Sequence, residues 1–285
     1  MTPSAVWSRR RQRVARLRAE RPHTAELLAF YDDVLALQEP LYAKALKSRW
    51  LEAVEAADGR APRLRLELLP ERSRARDFAR FVRALPTSAT EVLRAMASRL
   101  ASEPAAMSSL LSVVLGLESI DAVAARLDCD AAALEFFPRA FLQPLAEAAA
   151  EQCEQPDGAA YIPGFPARCP CCGRLPLLDL LQDEPETKGA RHLLCALCAT
   201  TWRFPRAMCP ACGETRAAQM RYHETDEWPH LRVGECTSCA TYLKTVDLRT
   251  DGLAVPPVDE LAAVELDLWA EGQGLGKLQR NLLGL

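Results

Sequence analysis

The 285-residue chain has no apolar run approaching the roughly 18 to 20 residues that span a bilayer, so stable membrane insertion is not expected. It also lacks a surplus of either charge. The formal net charge is −3 and the pI lies near 5.9, which gives no general pull toward nucleic acid or acidic membranes. No Gly-x-Gly-x-x-Gly fingerprint, Gly-Lys-Ser/Thr phosphate loop or Gly-x-Ser-x-Gly elbow is present, and nothing argues positively for catalysis. The arginine run in "SRRRQRV" is not followed by the apolar stretch that an export signal needs. "ARLRAERPHTAELLAF" follows instead, so the run is expected on the basic face of an amphipathic helix, in a cytoplasmic protein.

What is present divides along the chain. Up to about residue 160 the pattern is helical: "VWSRRRQRVARLRAERP", "TAELLAFYDDVLALQEPLYAKALKSRWLEAVEAA" and "SATEVLRAMASRLAS" are rich in Ala, Leu, Arg and Glu, with apolar residues three and four apart. Ser88 and Thr90 are placed to cap the third of these. The stretch from "SSLLSVVLGL" to "AEAAAEQ" continues the pattern, and its middle is apolar enough for a buried helix. Prolines 40, 62, 70, 86, 104, 138 and 144 are expected to divide helices or to occupy first turns. After the loop-like "EQPDGAAYIPGFP" the residues become β-branched and aromatic. A helical period returns at "VDELAAVELDLWAEGQG", placing Val258, Leu261, Ala262, Leu268 and Trp269 on one side of a tail that packs back, with Gly272 as its stop. The expected architecture is α+β: a helical domain (1–160), a first four-cysteine ribbon (161–204), a second (205–250) and a C-terminal helical tail (251–285).

Nine of the eleven cysteines lie from 169 onward, eight of them in four Cys-x-x-Cys pairs: Cys169/Cys172, Cys195/Cys198, Cys209/Cys212 and Cys236/Cys239. The gaps between successive pairs are 22, 10 and 23 residues. Two such turns about 15 to 25 residues apart close one tetrahedral thiolate site, so the first pair goes with the second and the third with the fourth. The modules span 30 and 31 residues from first to last ligand. Neither can bury enough surface to fold alone, and four-thiolate metal binding, worth roughly 10 to 16 kcal/mol in zinc-finger peptides, is ample to order it. Pro170 and Pro210, then Gly173 and Gly213, repeat at matching knuckle positions. A dithiol redox centre or four disulfides are weaker readings, for want of a βαβ setting and of an oxidising compartment.

Zinc and iron both accept four thiolates, and such a shell leaves no position for a reactive water. Cys171 inside the first knuckle reads as filler, a substitute ligand or a reactive thiol. Cys129 and Cys153 read as small core residues. His192, His223 and His230 read as surface or neighbouring groups, since each site already has four cysteines. "HETDEWPH" reads as a solvated hairpin tip. Between residues 166 and 250 there are 11 Lys+Arg against 10 Asp+Glu, without the basic stripe expected of a nucleic-acid reader.

At "RCPCCGRLP", "RHLLCALCATTWRFPRAMCPACG", "GECTSCATYLKTVDL" and "VDELAAVELDLWAEGQG" the sequence resembles the formate dehydrogenase accessory protein (FdhE-like) family. The resemblance covers roughly residues 10 to 285 and is most specific from 168 to 270. It implies a non-catalytic cytoplasmic maturation factor that binds the immature catalytic subunit of a respiratory formate dehydrogenase. It also implies two rubredoxin-like iron sites, with zinc as the alternative metal, on the eight knuckle cysteines. Two positions depart from the family pattern: Cys171 stands where an ordinary residue is usual, and "RNLLGL" replaces the usual Asn-Pro-Phe-Leu close. The competing function is a rubredoxin-like electron-transfer protein. The sequence leaves a homo-oligomer open.

Overall fold

The computed structural model describes residues 3–48, 64–65, 71–114, 119–152 and 164–285. Cys153, Pro62, Pro70 and most of the loop-like connector lie outside them. Among the described residues, seven α-helices build the N-terminal part: α1 (Pro3–Glu20), α2 (Ala25–Leu46), α3 (Glu71–Arg83), α4 (Glu91–Ser102), α5 (Pro104–Val114), α6 (Ile120–Leu127) and α7 (Ala131–Gln152). Helix α7 is the axis of this domain. Its Leu134, Phe137, Ala140, Phe141, Leu142 and Ala146 are fully buried, and α2 packs along it. Thr90 caps α4 by accepting from the Leu93 amide at 3.3 Å, whereas Ser88 instead donates to Asp33.

Three prolines expected to divide helices or occupy first turns lie inside them: Pro40 in α2, Pro138 and Pro144 in α7. Proline leaves the carbonyl four residues earlier without its amide. For Pro144 that carbonyl is Ala140's, and the side chain of Gln38, reaching across from α2, donates to it at 2.8 Å. A buried amide from a neighbouring helix thus replaces the missing backbone bond, and the helix continues. The basic face of α1 is also less solvated than its sequence implies. Arg10 is buried against Glu147 of α7 at 2.8 Å, and Arg13 is buried as well.

The cysteine-rich half forms one seven-stranded sheet. Its strands are β1 (Pro176–Glu184), β2 (Thr187–Cys195), β3 (Thr201–Arg203), β4 (Met220–Glu224), β5 (Leu231–Cys236), β6 (Thr241–Asp247) and β7 (Gly276–Lys277). The order is β3-β2-β1-β6-β5-β4. Each ribbon contributes three antiparallel strands, and the two join where β1 lies parallel to β6, pairing Asp179 with Thr245, Leu180 with Val246 and Leu181 with Asp247. At the other end of β6, β7 pairs with Thr241 and Tyr242. Paired residues share a face, so Asp179, Thr245 and Arg232 fall on one side, and Leu180, Val246 and Leu231 on the other. The second side, which also carries Val233 and Lys244, is the inner one.

Helices α8 (Pro256–Ala262) and α9 (Val264–Gly272) cover that inner side. The sequence reads as one helix, but the chain breaks at Ala263, which has φ −93° and ψ 49°. The break resets the helical phase. Leu261, Ala262, Leu266 and Ala270 face inward, while Leu268 is 61% and Trp269 38% exposed, contrary to the expectation that both pack back. Lys244 accounts for the break. Its buried ammonium donates to the carbonyls of Glu260 and Ala263 at the end of α8, and to Asp267 Oδ2 at 2.6 Å.

A closed set of buried charges surrounds this lysine. Glu260 faces Lys244 at 3.1 Å and Lys277 at 2.5 Å, and Lys277 also reaches Asp267 at 2.8 Å. Tyr242 donates to Asp267, and Asn281 donates to Glu260. Removing one member strands an opposite charge, which typically costs 3 to 5 kcal/mol, whereas replacing a pair together costs far less. Lys244→Met is therefore expected to lower the unfolding free energy by about 3 to 5 kcal/mol in urea titration, and Lys244→Met with Asp267→Leu by clearly less. Burial pushes the Glu260 carboxyl up, but Lys244 and Lys277 outweigh it and hold its pKa below the ordinary value. Its contribution is then complete above the unfolded-state pKa and lost as pH falls through the folded one. The same titration at stepwise lower pH is expected to show stability falling below about pH 4.3.

Candidate metal centres

Each Cys-x-x-Cys turn is built by the backbone around its first sulfur. In the first ribbon the Gly173 amide donates to the Cys169 carbonyl at 2.9 Å, and the Cys169 amide to Arg174 at 2.8 Å. In the second, Gly213 donates to Cys209 at 3.0 Å, and Cys209 to Glu214 at 2.8 Å. Gly173 and Gly213 have φ of 74° and 80°, the left-handed region the turn requires. At Gly213 a Cβ would also run into the Phe165 ring. After the closing knuckles, Ala199 and Ala240 take the same conformation, at 54° and 52°. Amides of Leu197 and Ala211 point at the sulfurs of Cys195 and Cys209, at 3.4 and 3.3 Å.

The fold brings together Cys169, Cys172, Cys195 and Cys198 in one group and Cys209, Cys212, Cys236 and Cys239 in another. Each group offers sulfurs all within 4.8 Å of one another, and each could hold a metal ion. Cys169–Cys198 and Cys172–Cys195 are 3.6 and 3.4 Å apart, and Cys209–Cys239 and Cys212–Cys236 are 3.8 Å apart. A tetrahedral ion with metal–sulfur bonds near 2.3 Å places its sulfurs about 3.8 Å apart, so both groups fit such an ion. Burial disfavours the Cys198 thiolate, yet Cys169, Cys171, Cys172 and Cys195 hydrogen-bond to it and hold its pKa well below the ordinary value, while burial drives that of Cys169 up. Crowded thiols ionise together only when a cation offsets their repulsion.

The two centres differ in exposure. All four sulfurs of the first are buried, beside α7, where Arg139 and Glu147 feel the charges of Cys195 and Cys198. In the second, Cys212 is exposed and Cys239 half-buried. Cys171 is buried against the first centre; a hydrogen bond with Cys169 favours its thiolate, but Cys198 and burial outweigh it and raise its pKa. Its carbonyl accepts from Leu64 at 2.8 Å. Cys129 is half-buried on α6's C-terminal turn, pointing at the Ala124 carbonyl.

None of the three ribbon histidines joins a cysteine group. His192 pairs with Glu184 at 2.9 Å, His223 with Glu235 at 2.7 Å and His230 with Asp259 at 2.8 Å. His230, Asp251 and Asp259 converge closely enough to hold an ion. Arg13 fills that place: its guanidinium donates to Asp259 at 3.0 Å and to Asp251 at 2.8 Å. The "HETDEWPH" connection is a hairpin tip whose Trp228 and His230 are nevertheless buried.

Sequence reasoning passed over the charge set around Lys244, because its members are scattered over β6, α8, α9 and the last residues. One signal was available: in "TYLKTVDL" the lysine holds an inward position in an otherwise apolar alternation.

A helical domain bearing two fused four-cysteine ribbons, closed by a broken helix over a buried lysine, defines a paired-ribbon scaffold class. Residues 168–206 match the family model "FdhE, central domain" and residues 207–283 match "FdhE, C-terminal domain". The chain is 36% identical over 151 residues to a protein FdhE homolog of Aquifex aeolicus, covering 53% of this chain and 52% of that one. It is 32% identical over 126 residues to one of Pseudomonas putida, covering 42% and 39%. These matches span about half or less of the relatives' own length. The crystal structure of the FdhE protein from Pseudomonas aeruginosa has the same fold, with a TM-score of 0.66 over 98% of this chain and 95% of that chain, at 24% identity. These matches support an FdhE-like family for the cysteine-rich half, residues 168–283.

Unequal exposure predicts unequal lability, because the shell around a site governs access to it. Protein loaded with two metal ions should release them to a chelator in two absorbance phases, the faster from the centre containing Cys212. Cys212→Ser should remove the fast phase and leave one slowly released ion.

Proposed function

We propose that this protein is an accessory factor in the maturation of a formate dehydrogenase, holding the immature catalytic subunit rather than catalysing a reaction. The observation that carries the reading is the presence of two four-thiol centres within the family-matched half of the chain. In this reading Cys169, Cys172, Cys195 and Cys198 hold one ion and Cys209, Cys212, Cys236 and Cys239 the other, iron in a rubredoxin-like setting, with zinc as the alternative. Bound metal supplies a fixed tetrahedral crosslink that ties both ends of each hairpin. The protein's own residues do the rest: the knuckle amides orient the sulfurs, and the ribbons and the helical domain (1–160) make one composite surface for the client. The ribbons are taken as 161–204 and 205–250, the closing tail as 251–285, and the setting as the cytoplasm, where no disulfide is needed. No helix among the described residues is long and apolar enough to cross a membrane.

The exposure of Cys212 favours one further reading, electron transfer through the second centre, since a partner could approach that sulfur. Voltammetry separates the two: a reversible wave at a useful potential supports electron transfer, and a redox-silent metal removes it. The maturation reading is tested by an oxygen-free affinity pull-down from the protein's own cells with formate dehydrogenase induced. The catalytic subunit should be recovered, and recovery should fall at least about tenfold with Cys209→Ala. If the subunit is abundant in the lysate and not recovered, the maturation reading fails.

A further inference from the structure

The outer side of the sheet carries a recess that neither metal centre uses. It lies across the joint between the two ribbons and has a volume of about 240 Å³. Five cations line it, Lys188, Arg191, Arg206, Arg232 and Arg249, with Asp179 as the only carboxylate among the lining residues. The cations come from four places in the chain: β2, the loop after β3, β5 and the loop after β6. Their convergence follows from the parallel pairing of β1 with β6, which brings Thr245 and Arg232 beside Asp179.

The charges do not cancel within the recess. Asp179 is taken by Arg191 at 2.9 Å, Asp247 by Arg249 at 2.5 Å, and Glu224 reaches Arg232 only at 3.5 Å. Among the described residues, no carboxylate lies within ion-pair distance of Lys188 or Arg206. Arg206 and Arg249 converge over Gly189, where a Cβ would meet their terminal nitrogens at 3.4 and 2.5 Å.

Two buried polar atoms also lack partners. Thr245, 2% exposed, lines the recess with its hydroxyl unpaired, and the Nε of Arg232 is likewise buried and unpaired. Such groups usually find a partner, because an unsatisfied buried donor costs about 1 to 3 kcal/mol. A hydroxyl, a guanidinium edge and two uncompensated cations around one space are complementary to an oxyanion carrying about two negative charges. A phosphoryl group carries about −1.5 to −2 near neutral pH and accepts through three oxygens. The recess has room for a phosphoryl group and opens to solvent, so whatever carries the phosphoryl can extend outward.

We propose that this recess binds a phosphoryl dianion, supplied as a small phosphate monoester or as free phosphate, held by Arg206, Arg232, Arg249 and Lys188 with Thr245 at its floor.

The test is isothermal titration calorimetry on the full chain at low ionic strength, with ribose 5-phosphate, inorganic phosphate and ribose as probes. Saturable one-site binding of either phosphate probe, with none for ribose, is expected. Preference for ribose 5-phosphate assigns the ester, and equal affinity assigns free phosphate. Arg206→Ala, at an exposed position that leaves the fold intact, should weaken binding at least about tenfold. Thr245→Val separates ligand recognition from structure: affinity should fall several-fold while the melting temperature stays the same or rises, because the unliganded protein loses only an unpaired hydroxyl. Absence of binding at millimolar phosphate, or unchanged affinity in Arg206→Ala, overturns the proposal. So does tighter binding of a single-stranded oligonucleotide with a steep salt dependence, which would reassign the recess to a polyanion.

Discussion

Four sulfurs must meet at a point, twice, and most of the cysteine-rich half follows from that requirement. A Cys-x-x-Cys turn can present two sulfurs only if its backbone curls through the left-handed region just after it, which Gly173, Ala199, Gly213 and Ala240 do. Two turns meet only if the hairpin between them returns in register, which fixes the pairing of β1 with β2 and of β4 with β5. Register in turn fixes which side chains point to which face. The apolar inner side and the charged outer side are therefore downstream of the sulfur geometry.

The inner side is unusual in burying lysine and carboxylate as well as hydrocarbon. A set like Lys244, Lys277, Glu260 and Asp267 adds little net stability over well-packed apolar residues, because desolvation cancels much of the attraction. What it does here is positional. Lys244 takes two carbonyls at the end of α8, halts that helix and starts α9 in a new direction, and Lys277 ties the segment after α9 to the same carboxylates. Arg13 of α1 reaches Asp259 of α8, linking this assembly to the helical domain. The ribbons, the tail and the first helix are thereby held in one arrangement.

The sequence discloses these layers unevenly. Local chemistry is legible: the four knuckles, their partners by spacing, the glycines that follow them and the helical nature of the first half can all be read from short windows. Relations between windows are not. No periodicity tells that Gln38 will satisfy the carbonyl freed by Pro144, so a proline reads as a break where a distant amide allows continuity. The phase of residues 256–272 looks unbroken because the lysine that breaks it belongs to β6. Charge counting across the ribbons gives near balance, yet folding gathers five of the eleven cations around one recess on the outer face. A sum over residues carries no information about where they end up.

The order of strands has a geometric consequence. The ribbons are joined head to tail, the first strand of one against the last of the other, rather than face to face about a twofold axis. A contact of that kind does not close on itself. The free side of β4 corresponds to the side of β1 that is already paired, and the free side of β3 to that of β6, so the same joint could be repeated by further copies without limit. Two features stand against such growth. At one end β3 is only three residues long, and at the other Arg221 and Glu224 place charges along β4. The sheet thus carries blunted edges at both ends of the repeat.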